Sequence, residues 1–112
     1  MISGFALGAP TADAATTCRP VNSIYKPTAT TVAIQYGIEC GGPVKDIYVE
    51  GFTQRNGVQI DANHVKCFDK QMCYTGNRIY SDPAGLQNYQ QSTGGVWNGI
   101  NRVLPVGTGA YL

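Results

Sequence analysis

Apolar and polar residues alternate along much of this chain, and turn-forming residues interrupt the pattern about every ten residues. Within residues 30–40, one face of an extended chain would carry Val32, Ile34, Tyr36 and Ile38. A period of two over β-branched residues is typical of a half-buried strand. No segment has a convincing helical period, and fourteen glycines and six prolines further disfavour long helices. The sequence therefore predicts an all-β fold.

An Asn-Gly pair marks the clearest hairpin. Residues 45–55 and 58–65 flank Asn56-Gly57, a pair that tolerates the positive φ angles of a type I′ turn. Both faces of the first arm carry apolar residues, so the sequence does not determine which face points inward. These faces consist of Ile47, Val49, Gly51 and Thr53 on one side, and Tyr48, Glu50, Phe52 and Gln54 on the other.

Further strands are predicted on both sides of this hairpin. They are 21–25, 74–80, 86–92 and 96–103, with turns at Gly41-Gly42-Pro43, 81–85 and Gly94-Gly95. About seven short strands at this spacing favour a small antiparallel β-sandwich. We assign this domain to residues 15–104. Residues 105–112 are interpreted as a C-terminal tail, which would form a strand only where a sheet edge or a partner receives it.

The first residues differ in composition from the rest of the chain. Residues 2–9 are apolar and small, Pro10 would break a helix, and Ala12-Asp13-Ala14 matches the motif that precedes a signal-peptidase cut. The basic start of a complete signal is missing. Residues 1–14 are therefore interpreted as a truncated signal-peptide remnant, with cleavage after Ala14. The alternative is a flexible arm that becomes ordered on a partner.

Four cysteines form an even set that permits three connectivities. A domain of this size buries only about 60–65% of its unfolded surface, so disulfides are a usual source of added stability in secreted proteins. The polar stretch between Cys67 and Cys73 is compatible with a local ring, in which case Cys18 would pair with Cys40. The alternative is a zinc site in which His64, Cys67 and Cys73 supply three ligands and Cys40 could be a fourth. Its spacing lacks C-x-x-C pairs, and a secretory signal favours oxidation.

The chain has an ordered set of features from Cys40 onward. They are the cysteine, a hairpin with a polar turn, C-x5-C, a strand, Gly85-x-x-x-Tyr89 and a strand with Trp97. This order resembles that of small secreted actinobacterial proteins with an immunoglobulin-like β-sandwich and two disulfides, over residues 18–104. The resemblance implies that fold, an extracellular location and pairing of Cys18 with Cys40 and Cys67 with Cys73.

One known setting of a small secreted Streptomyces protein is the umbrella toxin particle. There an adaptor subunit joins a lectin-like subunit to a large scaffold. This chain is similar to such an adaptor in size and compartment, which adds an adaptor of an extracellular toxin complex to the expected functions.

Two sets of residues are candidates for binding. A disulfide ring would present Asp69, Lys70, Gln71 and Met72 with little ordering cost. Tyrosines supply contact area and a hydroxyl group, and the strand candidates are Tyr48 and Tyr89. The polar segment 87–92 could bind sugars or peptide backbone, or could be a solvated edge strand.

Charge and motifs limit the classes of function. The formal net charge is only +1 and the basic residues are evenly spread, so we expect no nucleic acid partner. No apolar stretch approaches the ~20 residues of a membrane span. No catalytic motif, metal or cofactor site is indicated. We expect a secreted, non-enzymatic module that binds another secreted protein. The alternatives are a carbohydrate-binding domain and a small antimicrobial or inhibitor protein.

Overall fold

The computed structural model describes residues 17–112, which form one antiparallel sheet of six strands. The strands are β1 (Cys18–Thr28), β2 (Thr31–Arg55), β3 (Val58–Tyr74), β4 (Arg78–Ser81), β5 (Asn88–Trp97) and β6 (Asn101–Tyr111). The predicted all-β class is confirmed. The two-layer sandwich of about seven strands is not confirmed, because all six strands share one hydrogen-bonded sheet that curls into a half-barrel.

The predicted signal remnant, residues 1–14, lies outside the described residues. From Thr17 onward, the structure has no helix with the length and apolar character to cross a membrane.

Strand β2 is the central element of the sheet. Its first half pairs with β1 on one edge and with β4 and the end of β3 on the other. Its second half pairs with β3 and β5, and β6 extends the sheet beyond β5. The turn predicted at Gly41-Gly42-Pro43 is instead a bend within β2, where the register against β3 shifts between Glu39 and Val44. The two halves of one strand can therefore pack face to face.

The bend also changes which alternate residues of β2 point inward. The core contains Val32, Ile34, Tyr36, Ile38, Ile47 and Val49, each at most 1% exposed. The two halves meet where the ring of Tyr36 occupies the space beside Gly51, which has no side chain. The predicted inner face of the first half is confirmed. In the second half, Tyr48 and Phe52 point outward.

Two Asn-Gly turns connect neighbouring strands. Asn56-Gly57 joins β2 to β3 with φ values of 52° and 85°, as predicted for a type I′ turn. A second pair, Asn98-Gly99, joins β5 to β6 with φ values of 49° and 78°. The reversal predicted at Gly94-Gly95 is therefore wrong. Strand β5 runs through these two glycines, and the segment predicted as one strand, 96–103, belongs to two strands.

Strand β6 includes most of residues 105–112, the segment predicted to be a C-terminal tail. Residues 106–111 pair with β5 between Thr93 and Asn88. The backbone of Leu112 both donates to and accepts from the backbone of Gln87. The sheet edge that these residues would need is supplied by β5 of the same domain.

Candidate functional site

Both disulfides are present, and they join Cys18 to Cys40 and Cys67 to Cys73. The four oxidised sulfurs cannot act as thiolates, so the alternative zinc site has lost its cysteine ligands. Between Thr17 and Leu112 there is no group of three or more side chains that could hold a metal ion. Two disulfides in a domain this small are typical of extracellular proteins.

The Cys67–Cys73 ring lies where the sheet bends. It is part of β3 rather than a separate turn, and Asp69 adopts a φ of 54° where β3 follows the bend of β2. Residues 68–72, here called the corner loop, are all exposed. They include the candidates Asp69, Lys70, Gln71 and Met72, and they add Phe68, which sequence analysis did not single out. The Lys66 ammonium lies 5.3 Å from the centre of the Phe68 ring.

A second turn meets the corner loop at Asp46. Phe68 lies directly opposite Asp46 in the pairing of β2 with β3. The backbone oxygen of Asp46 accepts a hydrogen bond from Asn98, and its carboxylate accepts one from the N–H of Gly99. The β5–β6 turn therefore lies at the same end of the sheet. Three large apolar side chains, Phe68, Met72 and Ile100, are 59%, 53% and 84% exposed there. We call this end the corner surface.

The two candidate tyrosines lie in opposite environments. Tyr89 is fully buried, and its hydroxyl donates a hydrogen bond to Asp82. It is a core residue whose ring cannot contact a ligand. Tyr48 is half-buried on the outer face of the sheet, with its ring centre 6.0 Å from that of His64. Only Tyr48 can contribute to a surface site.

A groove of about 600 Å³ crosses the outer face beside Tyr48. We call it the outer groove, and its lining includes Tyr48, Glu50, Phe52, His64, Gly94 and Arg102. Gly94 lies directly opposite Glu50 and is buried, because a Cβ there would lie 3.0 Å from the backbone oxygen of Val103 and 3.1 Å from Cγ of Pro105. A second depression of about 440 Å³ adjoins the groove and shares Phe52 and Ser92 with it.

The polar segment 87–92 divides between these environments. Gln90 and Ser92 line the depression on the outer face. Gln91 is buried, and its amide donates hydrogen bonds to the backbone oxygen of Ser23 and to the Thr53 hydroxyl. Only the outward residues of this segment are therefore accessible to a ligand.

Asp61 is a buried carboxylate that joins three strands. Its side chain is 1% exposed and pairs with the Arg78 guanidinium at 3.2 Å. It also accepts hydrogen bonds from the hydroxyls of Tyr36, at 2.9 Å, and Tyr80. The Tyr36 hydroxyl lies 2.6 Å from that of Thr53. Because these partners belong to β2 and β4, Asp61 connects both strands to β3 inside the half-barrel.

Asp82 forms a second buried group of this kind. Its carboxylate accepts hydrogen bonds from the Lys26 ammonium and the Tyr89 hydroxyl. The hydrogen bond from Lys26, followed by that from Tyr89, holds the pKa of Asp82 below its usual value. This carboxylate therefore remains ionised where it connects β1 to β5.

A comparison of the chain with models of known protein families and with curated proteins finds no match. What the protein binds is therefore inferred from the chemistry of its own surfaces. The corner surface and the outer groove each combine exposed apolar groups with polar neighbours.

Four tyrosine hydroxyls hold their protons more tightly than usual. Burial raises the pKa of Tyr36. The hydrogen bond with Thr53 lowers this pKa, and the hydrogen bond and charge of Asp61 raise it further. Burial and a hydrogen bond to Glu39 raise the pKa of Tyr74 to about 12. Burial, followed by a hydrogen bond to a carboxylate, also raises the pKa values of Tyr80 and Tyr89. Ionisation of these hydroxyls therefore opposes folding.

We expect the free energy of unfolding to fall as the pH rises above about 10, where tyrosines of the unfolded chain ionise. Because the folded-state pKa values are raised, their stabilisation is complete below pH 10 and is lost as the pH rises through them. In Tyr74→Phe the decline should be shallower, by at most about 1.4 kcal/mol per pH unit. Urea unfolding at several alkaline pH values measures both slopes. Equal slopes in the two proteins would contradict the prediction.

Proposed function

We propose that the protein is a secreted, non-enzymatic interaction module that binds another secreted protein through the corner surface. The observation that carries this proposal is the exposure of Phe68 and Met72 on the corner loop and of Ile100 on the adjoining β5–β6 turn. Large apolar side chains gathered on a surface are typical of protein-binding sites, and aromatic residues and methionine are enriched there. Polar residues of the corner loop would surround them, as in the rim of an interface.

Restraint of the corner loop supports the same proposal. The Cys67–Cys73 disulfide closes the loop, and Asp46 holds the neighbouring turn through two backbone N–H groups. A surface that is ordered before binding loses less conformational entropy when the complex forms. Secretion is supported by the two disulfides, which are typical of oxidising compartments.

The proposal includes a more specific fold, an immunoglobulin-like sandwich. The bent β2 would serve both layers of an immunoglobulin-like sandwich, as expected from the resemblance to small secreted actinobacterial proteins. An adaptor subunit of an extracellular toxin complex is one form that such a module could take. A small secreted inhibitor would also use a restrained loop, with a target enzyme as its partner.

Capture of partners from the culture supernatant of the producing organism tests the proposal. The immobilised protein should retain a specific partner, and Phe68→Ser combined with Met72→Ser should release it. Leu86→Ser is the matched control, because Leu86 is exposed near the opposite end of the second half of β2 and should leave capture unchanged. The proposal fails if the chain elutes alone as a monomer, or if the corner-loop variant captures the partner equally well.

A further inference from the structure

The outer groove and the depression beside it adjoin along the outer face of the sheet, where Phe52 and Ser92 line both, and together they are called the trough. The residues of β2 that line it extend from Tyr48 to Gln54, a span of about 20 Å in an extended strand. On the β5–β6 side the lining includes Gly94, Gly107 and Gly109, which have no side chains. A long, shallow trough of this kind fits an extended chain better than a compact ligand.

Two aromatic rings lie along this trough. Tyr48 and Phe52 lie on the same face of β2, about 13 Å apart along the strand, with Glu50 between them. Phe52 is exposed, and the Tyr48 ring is turned against His64. The electron-rich face of an aromatic ring attracts weakly positive C–H groups, which pyranose sugars present on their faces. Two rings in line could therefore contact two units of one sugar chain.

Neutral polar groups account for much of the remaining lining. Side-chain amides are supplied by Gln54, Gln59, Asn63 and Gln90. An amide both donates and accepts hydrogen bonds, and so does a sugar hydroxyl. Glu50 and Arg102 contribute opposite charges, so the trough has no basic excess to attract a polyanion. The lining is therefore suited to an uncharged ligand.

An extended peptide is the other chain that would fit this shape. Peptides that join a sheet obtain affinity by pairing with the backbone of a free strand edge. The trough lies on the face of the sheet formed by β2, β3, β5 and β6, and the backbone groups of β2 and β5 at its centre are already paired within the sheet. A peptide lying on this face would thus lack that source of affinity, whereas a sugar chain does not depend on it.

We propose that this trough binds a linear, uncharged oligosaccharide, as a second site separate from the corner surface. The trough and the corner surface consist of different residues and would bind different classes of ligand, so each site can be present without the other. The protein would then connect a glycan to a protein partner.

Isothermal titration with cellohexaose, chitohexaose, laminarihexaose, xylohexaose and mannohexaose tests this proposal. At least one hexasaccharide should bind the wild type, and Phe52→Ala should weaken binding by about tenfold through loss of a stacking contact. Tyr25→Ala is the matched control, because Tyr25 is an exposed aromatic residue of β1 in the other half of the sheet. It should bind as the wild type does.

A second variant fills the trough without touching the core. Ser92 lines both depressions, so Ser92→Trp should abolish binding while circular dichroism and the thermal midpoint show an intact fold. The proposal is overturned if no hexasaccharide binds, or if both trough variants bind normally. Binding of a proline-rich peptide that Ser92→Trp abolishes, without any glycan binding, would also overturn it. Capture of the protein partner should survive both trough variants, which separates this test from that of the proposed function.

Discussion

Replacing Gly95 by alanine is expected to lower the free energy of unfolding by about 3 kcal/mol, a large fraction of the stability of a small domain. The added Cβ would overlap the backbone oxygen of Tyr48 and lie 2.8 Å from Cδ1 of the buried Ile38. Tyr48 belongs to β2, which is paired on both edges at this point and cannot shift freely. Strand β5 would have to move away from β2 and weaken the hydrogen bonds between them.

Urea unfolding followed by the fluorescence of Trp97 measures this loss, since the chain has one tryptophan. Gly107→Ala is the matched control in the neighbouring strand. Its Cβ would meet nothing closer than the backbone oxygen of Gln91 at 3.6 Å, an ordinary contact distance. It should change stability by no more than about 0.5 kcal/mol. Equal urea midpoints for the two variants would show that close packing at Gly95 has no special role.

The adjacent glycines Gly94 and Gly95 show why part of the fold could not be predicted from sequence. Gly94-Gly95 has the composition of a reversal, yet Gly95 is required by the approach of a strand far away in the chain. Local composition cannot distinguish these two causes. The true reversal, Asn98-Gly99, carries the same signal that correctly predicted the Asn56-Gly57 hairpin. That turn could have been found from the sequence.

The bend of β2 could not be predicted from local composition either. Alternation predicted its first half and the hairpin predicted its second half, because both signals are local. Whether Gly41-Gly42-Pro43 ends a strand or bends one depends on pairing: β3 continues along the same edge on both sides of the bend. The predicted disulfide ring is also local, but its position at this bend is not. Pairing with β3 on both sides of the bend therefore makes the two predicted strands, 30–40 and 45–55, parts of one strand.

Prediction of the candidate surfaces was limited in the same way. Tyr48 and Tyr89 are indistinguishable by residue type, and their burial is decided by the strands that cover them. The corner-loop residues were predictable, since the two cysteines restrain them directly. The outer groove combines side chains from β2, β3, β5 and β6, so no contiguous motif could indicate it. Ile100 joins the corner surface through contacts of its turn with Lys45 and Asp46, on another strand.

Replacing Asp61 by alanine is expected to destabilise the protein by about 3 kcal/mol, since removing one partner of a buried network leaves the others unpaired. Tyr36 would keep the Thr53 hydroxyl as a neighbour, whereas the Tyr80 hydroxyl would lose its carboxylate acceptor. The Arg78 side chain is about half exposed and could turn to water, which limits its share of the loss. Most of the cost therefore falls on the hydroxyls of Tyr36, which is fully buried, and Tyr80, which is half-buried.

Glu50→Ala is the matched control, because it also removes one carboxylate but from an exposed position on the outer face. Its urea midpoint should change little, by about 0.5 kcal/mol at most in unfolding free energy. A comparable loss in both variants would indicate that net charge, rather than the buried network, is responsible. Asp61→Asn separates acceptor from charge, since the amide keeps one oxygen acceptor and should recover part of the lost stability.

Hydrogen exchange should reveal where the Asp61 network acts. Strand β4 has only four residues and pairs with β2 along one edge. Asp61 connects it to β3 through Tyr80 and Arg78, beside hydrogen bonds from Arg78 to the Ala62 backbone oxygen and the Asn63 side chain. In Asp61→Ala, the amides of β4 should exchange faster under native conditions, while those in the second half of β2 remain protected. Uniform loss of protection across the sheet would contradict a local role. The expected pattern would make Asp61 the residue that holds the short strand closed over the core, with Tyr80 as its partner.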